Sequence, residues 1–285
     1  MIDGFLDVME EHGALGLQRG SQLVVLHNGN VVADLADGEA SDAVPMAGAH
    51  VMRWYEAGMP QLSALVMRLV ERGKLDLDDP VSKYVGDWGN GKEACTIRHL
   101  LTHMGRFPGA ELSDRDVDHD DAVRLIGTYR AESAPGRQAG FHPSIGWRIL
   151  AEILIKVEGR TLKRQLHTEL WKPLGMPRVT LGLMVKDRHR LGALLAPVHW
   201  AGYSVDERDE DNIVNRVPFR ADLIHNTAWH QATMEPAMGW FGTARDLAKF
   251  YLGLSTSRHP LDKGRQSRRR VFSQPSTLDL MTAAV

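Results

Sequence analysis

The sequence predicts an α/β protein in which an antiparallel sheet accompanies a large helical region. Two observations carry this. The alternating runs SQLVVLH and VVADLA flank Asn28-Gly29-Asn30, and a tight Asn-Gly turn between β-branched runs is the strongest short-range hairpin signal. Further along, Leu62, Leu65, Val66, Leu69 and Val70 fall on one face at helical spacing before Gly73, and Ile149, Leu150, Ile153, Leu154 and Val157 repeat the pattern before Gly159. Each run is an amphipathic helix that needs a core to bury its face, with glycine as the natural stop.

The remaining elements follow in chain order. A helix precedes the hairpin. LDLDDPVSKYV reads as a proline-containing connector, TIRHLLTHMG as a short helix and HDDAVRLIGTYR as another. After the turn-rich APGRQAGFHPS, LKRQLHTELW continues as an amphipathic helix closed by the Pro and Gly of KPLGM. Residues 180–236 read as irregular excursions over a scaffold. Thr243 with Asp246 resembles a capping box, opening a last helix with Leu247, Phe250, Tyr251 and Leu254 on its apolar face. The expected division is an N-terminal helix and hairpin over 1–45, a helical domain with the site over 46–240, and a late helix returning to the α/β part over 241–285.

Composition narrows the function classes. With 34 basic and 36 acidic side chains the formal charge is −2, which offers no basic face for nucleic acid. The cationic run KGRQSRRR is read as a solvated loop. Cys95 is the single cysteine, excluding an internal disulfide, and its place before an apolar run suggests a buried thiol. The acidic N-terminus lacks the basic and long apolar stretches of a signal peptide, and no run approaches a membrane span, so the expectation is a cytoplasmic protein.

Several strings, in order, resemble the class C β-lactamase, esterase and D-alanyl-D-alanine peptidase-like serine hydrolases, relatives of the penicillin-binding proteins. LVERGKLDLDDPVSKYV looks like the segment after that family's catalytic helix. TIRHLLTHMGRFPG looks like its LLTHTSGLP turn, WKPLGM like its PLGM signature, and MGWFGTARDLAKFYLGL like its glycine-rich entry into a late helix. The resemblance implies a β-lactamase-like fold, an antiparallel sheet with a large helical domain, with the pocket between them. It also implies a Ser-x-x-Lys pair whose lysine lies fourteen residues before the glycine matching Gly73. That count lands on Met59 and places Glu56 at the nucleophile. Shifting by one residue gives Ala57 and Pro60, so neither register supplies the pair.

A serine hydroxyl is a poor nucleophile until a neighbouring base takes its proton, and glutamate with methionine cannot do this together. In the second motif, GFHPSIGW puts Phe141 where the family has tyrosine, filling the volume without the phenolic oxygen. The third motif, a Lys-Thr-Gly or His-x-Gly strand, is expected beyond Val285. The sheet's C-terminal strands are then missing from these residues, to be supplied by another chain or homo-oligomer, by further sequence, or by reorganisation.

Glu56 therefore has two readings, a general acid or base at a helix start or a drifted position in a dead site. Burial without purpose is costly for a carboxylate, which tilts the balance toward use. Tyr55, Met59, Phe141, His142 and Trp147 are the expected pocket residues, with Met59 and Phe141 forming an apolar wall. For His142 a structural role is favoured over proton exchange with Glu56. Trp54, Trp200, Trp229 and Trp240 are further candidates for lining a cavity. His99 and His103 have i, i+4 spacing but no third ligand, so packing is favoured and no metal or cofactor is expected. Three functions are ranked: a repurposed biosynthetic enzyme acting on a small molecule through Glu56 without an acyl-enzyme, a pseudoenzyme binding a ligand or partner, and a residual esterase or amidase.

Overall fold

A computed structural model describes residues 2–86, 88–106, 119–141, 143–199, 203–204, 215–216, 224–255 and 270–283. Helix α1 (Ile2–Ala14) precedes strands β1 (Gly20–His27) and β2 (Asn30–Ser41). These strands pair antiparallel, with a register shift between Val25 and Leu26. Asn28 and Gly29 take φ of 51° and 77°, the left-handed pair that the Asn-Gly signal demands. The short β3 (Val44–Pro45) extends the sheet in the order β1-β2-β3, so among the described residues β1 has a ladder on one edge only. The Gln22 side chain on β1 donates to the carbonyls of Ala47 and His50 and accepts from the Ala244 amide, tying the strand to the late part of the chain.

The core lies in the helical part. Helix α2 (Met59–Glu71) packs on α6 (Pro143–Glu158), burying Leu62, Val66, Leu69, Ile149, Leu150, Ile153 and Leu154. Around them stand α3 (Ser82–Val85), α4 (Ile97–Leu101) and α5 (His119–Thr128). Lys92 is fully buried; its ammonium donates to the carbonyls of Gly127 and Tyr129 and so caps the end of α5 with a cation. Cys95 is buried, and desolvation pushes its thiol up to about 12, which makes it a packing residue.

The helix expected over LKRQLHTELW is interrupted. It runs as α7 (Leu162–Leu166), a π turn over His167–Trp171, and α8 (Lys172–Leu174). Pro173 has no amide to donate to the preceding turn, and the ladder widens before it. Trp171 there donates to the buried Gln61 of α2 at 2.7 Å.

Residues 180–236 hold more structure than expected. They include β5 (Thr180–Leu181), α9 (Val185–Leu191), β6 (Tyr203–Ser204), β7 (Asn215–Arg216) and α10 (Ala228–Ala232). A second antiparallel sheet, β4-β8-β5, joins β4 (Met52–Arg53) to β8 (Trp240–Gly242). Helix α11 (Ala244–Leu254) starts on the predicted cap, with Thr243 accepting from the Asp246 amide at 3.0 Å. Tyr251 is exposed rather than on its buried face, which Asp246, Phe250, Leu252 and Gly253 provide. Helix α12 (Pro275–Thr282) was not read from the sequence. Among the described residues no helix is long and apolar enough to cross a membrane.

Candidate active site

The short strand β4 delivers the chain to the start of α2. Arg53 pairs with Phe241, the Trp54 amide donates to Trp240 at 2.9 Å, and Tyr55–Gly58 then form one 3-10 turn before Met59. Gly58 is there because of packing: a Cβ would stand 2.0 Å from Cγ of the fully buried Trp240. Tyr55 adopts φ of 48°, a left-handed conformation that costs a bulky residue about 1–3 kcal/mol and is held only where the surroundings enforce it. Glu56 follows directly, half-buried, on the last turn before α2.

Arg53 lies 4.9 Å from the Tyr55 ring centroid and 5.6 Å from that of Phe241, and donates to the Met238 carbonyl at 3.2 Å. Burial pulls its pKa down, while Tyr55, Glu235 and Glu56 oppose the shift. Burial also raises the Tyr55 phenol, against the effect of Arg53, so Tyr55 is a protonated donor at neutral pH. The His225 ring meets Tyr55 edge-on at 5.7 Å, and its Nδ1 is 3.0 Å from Nε2 of the buried His230.

Behind Arg53 sits the buried Glu235. One carboxylate oxygen accepts from the Ala237 and Met238 amides at 2.9 and 2.5 Å; the other is 3.7 Å from Arg148 Nε with no hydrogen bond formed. Burial raises the Glu235 pKa, with Arg148 the main opposing influence.

The expected pocket residues do not all converge. Trp147 is buried and its indole donates to the Met59 carbonyl at 3.4 Å. His103 stacks on Trp147 at 4.9 Å and tilts against Phe141 at 4.7 Å. Met59 lies in the core whereas Phe141 is 62% exposed, so the single apolar wall expected of the two is replaced by a chain of rings leading outward. His142 and Trp200 lie outside the described residues, as do residues 263–269 of the cationic run. His99 accepts from the Thr96 amide at 3.3 Å within a capping box, which is the packing role expected for it. Trp240 is fully buried, while Trp229 is exposed at a cavity of 1630 Å³. That cavity is lined from α6, α7, the π turn, α8, β5, α9 and α10 and includes neither Glu56 nor Phe141, so it is not the pocket expected around those two residues.

Sequence reading missed Arg53, His225, His230, Glu235 and Arg148. The only signal was the pair of histidines in HNTAWH, whose five-residue spacing has no helical or metal-binding meaning by itself. Among the described residues no group of three or more His, Cys, Asp or Glu side chains is arranged to hold a metal.

A profile described as Beta-lactamase matches residues 5–284. The chain belongs to the Beta-lactamase family. It is 24% identical over 155 residues to the putative penicillin-binding protein PbpX of Bacillus subtilis (strain 168), covering 54% of this chain and 39% of that one. To esterase EstB of Burkholderia gladioli it is 28% identical over 184 residues, covering 55% and 45% respectively. The matches thus take in less than half the length of either relative. Among solved structures, a penicillin-binding protein homolog from Caulobacter crescentus superimposes with a TM-score of 0.73 at 22% identity, over 98% of this chain and 74% of that one. This Beta-lactamase family member therefore has the β-lactamase and penicillin-binding-protein fold, within a family of hydrolases.

Proposed function

We propose that the chain acts on a small molecule at the entrance to α2 by proton transfer through Glu56, without forming an acyl-enzyme. The observation that carries this is the turn itself. A strained Tyr55 at φ of 48° places Glu56 on the 3-10 turn that leads directly into the N-terminus of a thirteen-residue helix. Tyr55 beside it supplies a phenolic proton, and the His225–His230 pair lies against Tyr55 as a second proton carrier. Met59, three residues on, has no amine with which to activate a nucleophile.

Within this reading the substrate is a biosynthetic intermediate whose conversion needs one proton moved. A second reading, hydrolysis by water activated at Glu56, draws support from a relative that is named as an esterase. Both make Glu56 the working group. Turnover of small p-nitrophenyl esters provides a test with a readout that needs no knowledge of the natural substrate. Glu56→Gln, nearly isosteric, should retain the fold and lower any such turnover by about 100-fold or more, the usual contribution of a positioned proton-transfer group. An equal rate in the two proteins would remove Glu56 from the mechanism.

A further inference from the structure

The 1630 Å³ cavity stands apart from Glu56 and has a character of its own. Four of the eleven large apolar side chains exposed among the described residues, Met184, Val185, Trp229 and Met234, gather on its lining. Deeper, Ile155, Leu162 and Leu181 continue the apolar surface. A soluble surface rarely concentrates exposed apolar groups in this way unless something covers them.

The charges around the same cavity are one-sided. Arg148, Lys163, Arg164, Lys172, Lys186 and Arg190 contribute cations, against the single carboxylate of Asp187. Asp187 is buried and already committed: it accepts from Lys163 at 2.6 Å and from the Met184 amide at 3.3 Å, with Arg190 at 3.5 Å. Arg148, 3% exposed, has an Nε with no hydrogen bond among the described residues. Lys163 and Arg190 thus share one carboxylate, and Lys186 adds a third cation to the same lining. Burial lowers the Lys163 pKa, Asp187 opposes this, and Lys186 and Arg190 push it lower still, as expected of cations crowded together.

We infer that this cavity binds a monomeric amphipathic carboxylate, its apolar body against Ile155, Leu162, Leu181 and Trp229 and its anionic head at Lys163, Lys186 and Arg190. The head supplies the second negative charge that the three cations lack, and the body covers the exposed apolar lining. The volume is ample for an acyl or aryl chain. Nothing in this inference depends on the role of Glu56.

Dodecanoate below its micellar concentration is the probe, with 1-dodecanol and acetate as the headless and tailless controls, followed by calorimetry and by intrinsic tryptophan fluorescence, since Trp171 and Trp229 line the cavity. Dodecanoate should saturate one site per chain below about 1 mM, with dodecanol and acetate each at least ~10-fold weaker. Lys186→Glu, at an exposed position, should weaken dodecanoate by roughly 10-fold at low ionic strength, and the difference should shrink as salt is added. Arg190→Glu should do the same, while Arg124→Glu on α5 should leave binding unchanged. Circular dichroism of each variant establishes that it is folded. Dodecanol binding as tightly as dodecanoate, saturation only above the micellar concentration, or equal dodecanoate affinity in folded Lys186→Glu would overturn the inference.

Discussion

Gly58 shows how closely the site depends on its packing. Its φ of −83° suits any residue, but the face of Trp240 occupies the space a side chain would need. Gly58→Ala should therefore destabilise the protein by about 1–3 kcal/mol through overpacking, read as a lower denaturant midpoint at unchanged slope. Because Gly58 closes the Tyr55–Gly58 turn, the same variant should also displace Glu56 and reduce turnover. Unaltered stability would mean that Trp240 moves aside without cost. Glu56 was reached by counting back from Gly73 with the spacing that the resemblance implies, and it lies on the 3-10 turn before α2. The company it keeps was not legible. Arg53, Glu235 and Arg148 come from β4, the approach to β8, and α6, and only tertiary folding brings them together.

At the scale of elements, α2, α6 and the hairpin were legible because each couples a strong periodicity to a stop or turn signal. Helix α9 buries only Asp187 and Leu191, and α12 only Thr277, so neither has a periodic stripe to read. What fixes α12 is a tertiary contact. The Glu71 carboxylate at the end of α2 accepts from the Gln274 amide at 2.7 Å, the Ser273 amide at 3.2 Å and the Thr277 hydroxyl at 3.1 Å. Burial alone would raise the Glu71 pKa, but these hydrogen bonds outweigh it and hold the group below its ordinary value. A carboxyl depressed in the folded state stabilises above its unfolded pKa near 4.3, and that contribution is lost as pH falls through the lower folded value. Hydrogen exchange across residues 275–282 should therefore quicken as pH is lowered from about 6 to about 3, after correction for intrinsic rates. In Glu71→Gln protection should be weaker at pH 6 and flat across that window. A wild-type profile that is also flat would show that α12 is held by its apolar contacts alone.

For the whole molecule, the β-lactamase plan was legible because several long strings recur in family order, a signal that tolerates drift at individual positions. The cavity was not legible, since its lining is drawn from many separate elements between α6 and α10 and none of its residues forms a motif. The chain thus retains the family's helical core around α2 and α6 while carrying Glu56 and Met59 at the position that the resemblance assigns to the serine and lysine. Intact-mass spectrometry after incubation with a fluorophosphonate and with a β-lactam addresses this most directly. The account predicts an unmodified chain under conditions that fully label a serine hydrolase of this family, because the resemblance assigns the attacking position to the carboxylate of Glu56. A stoichiometric adduct on a serine, whether Ser63 on α2 or Ser144 on α6, would contradict it.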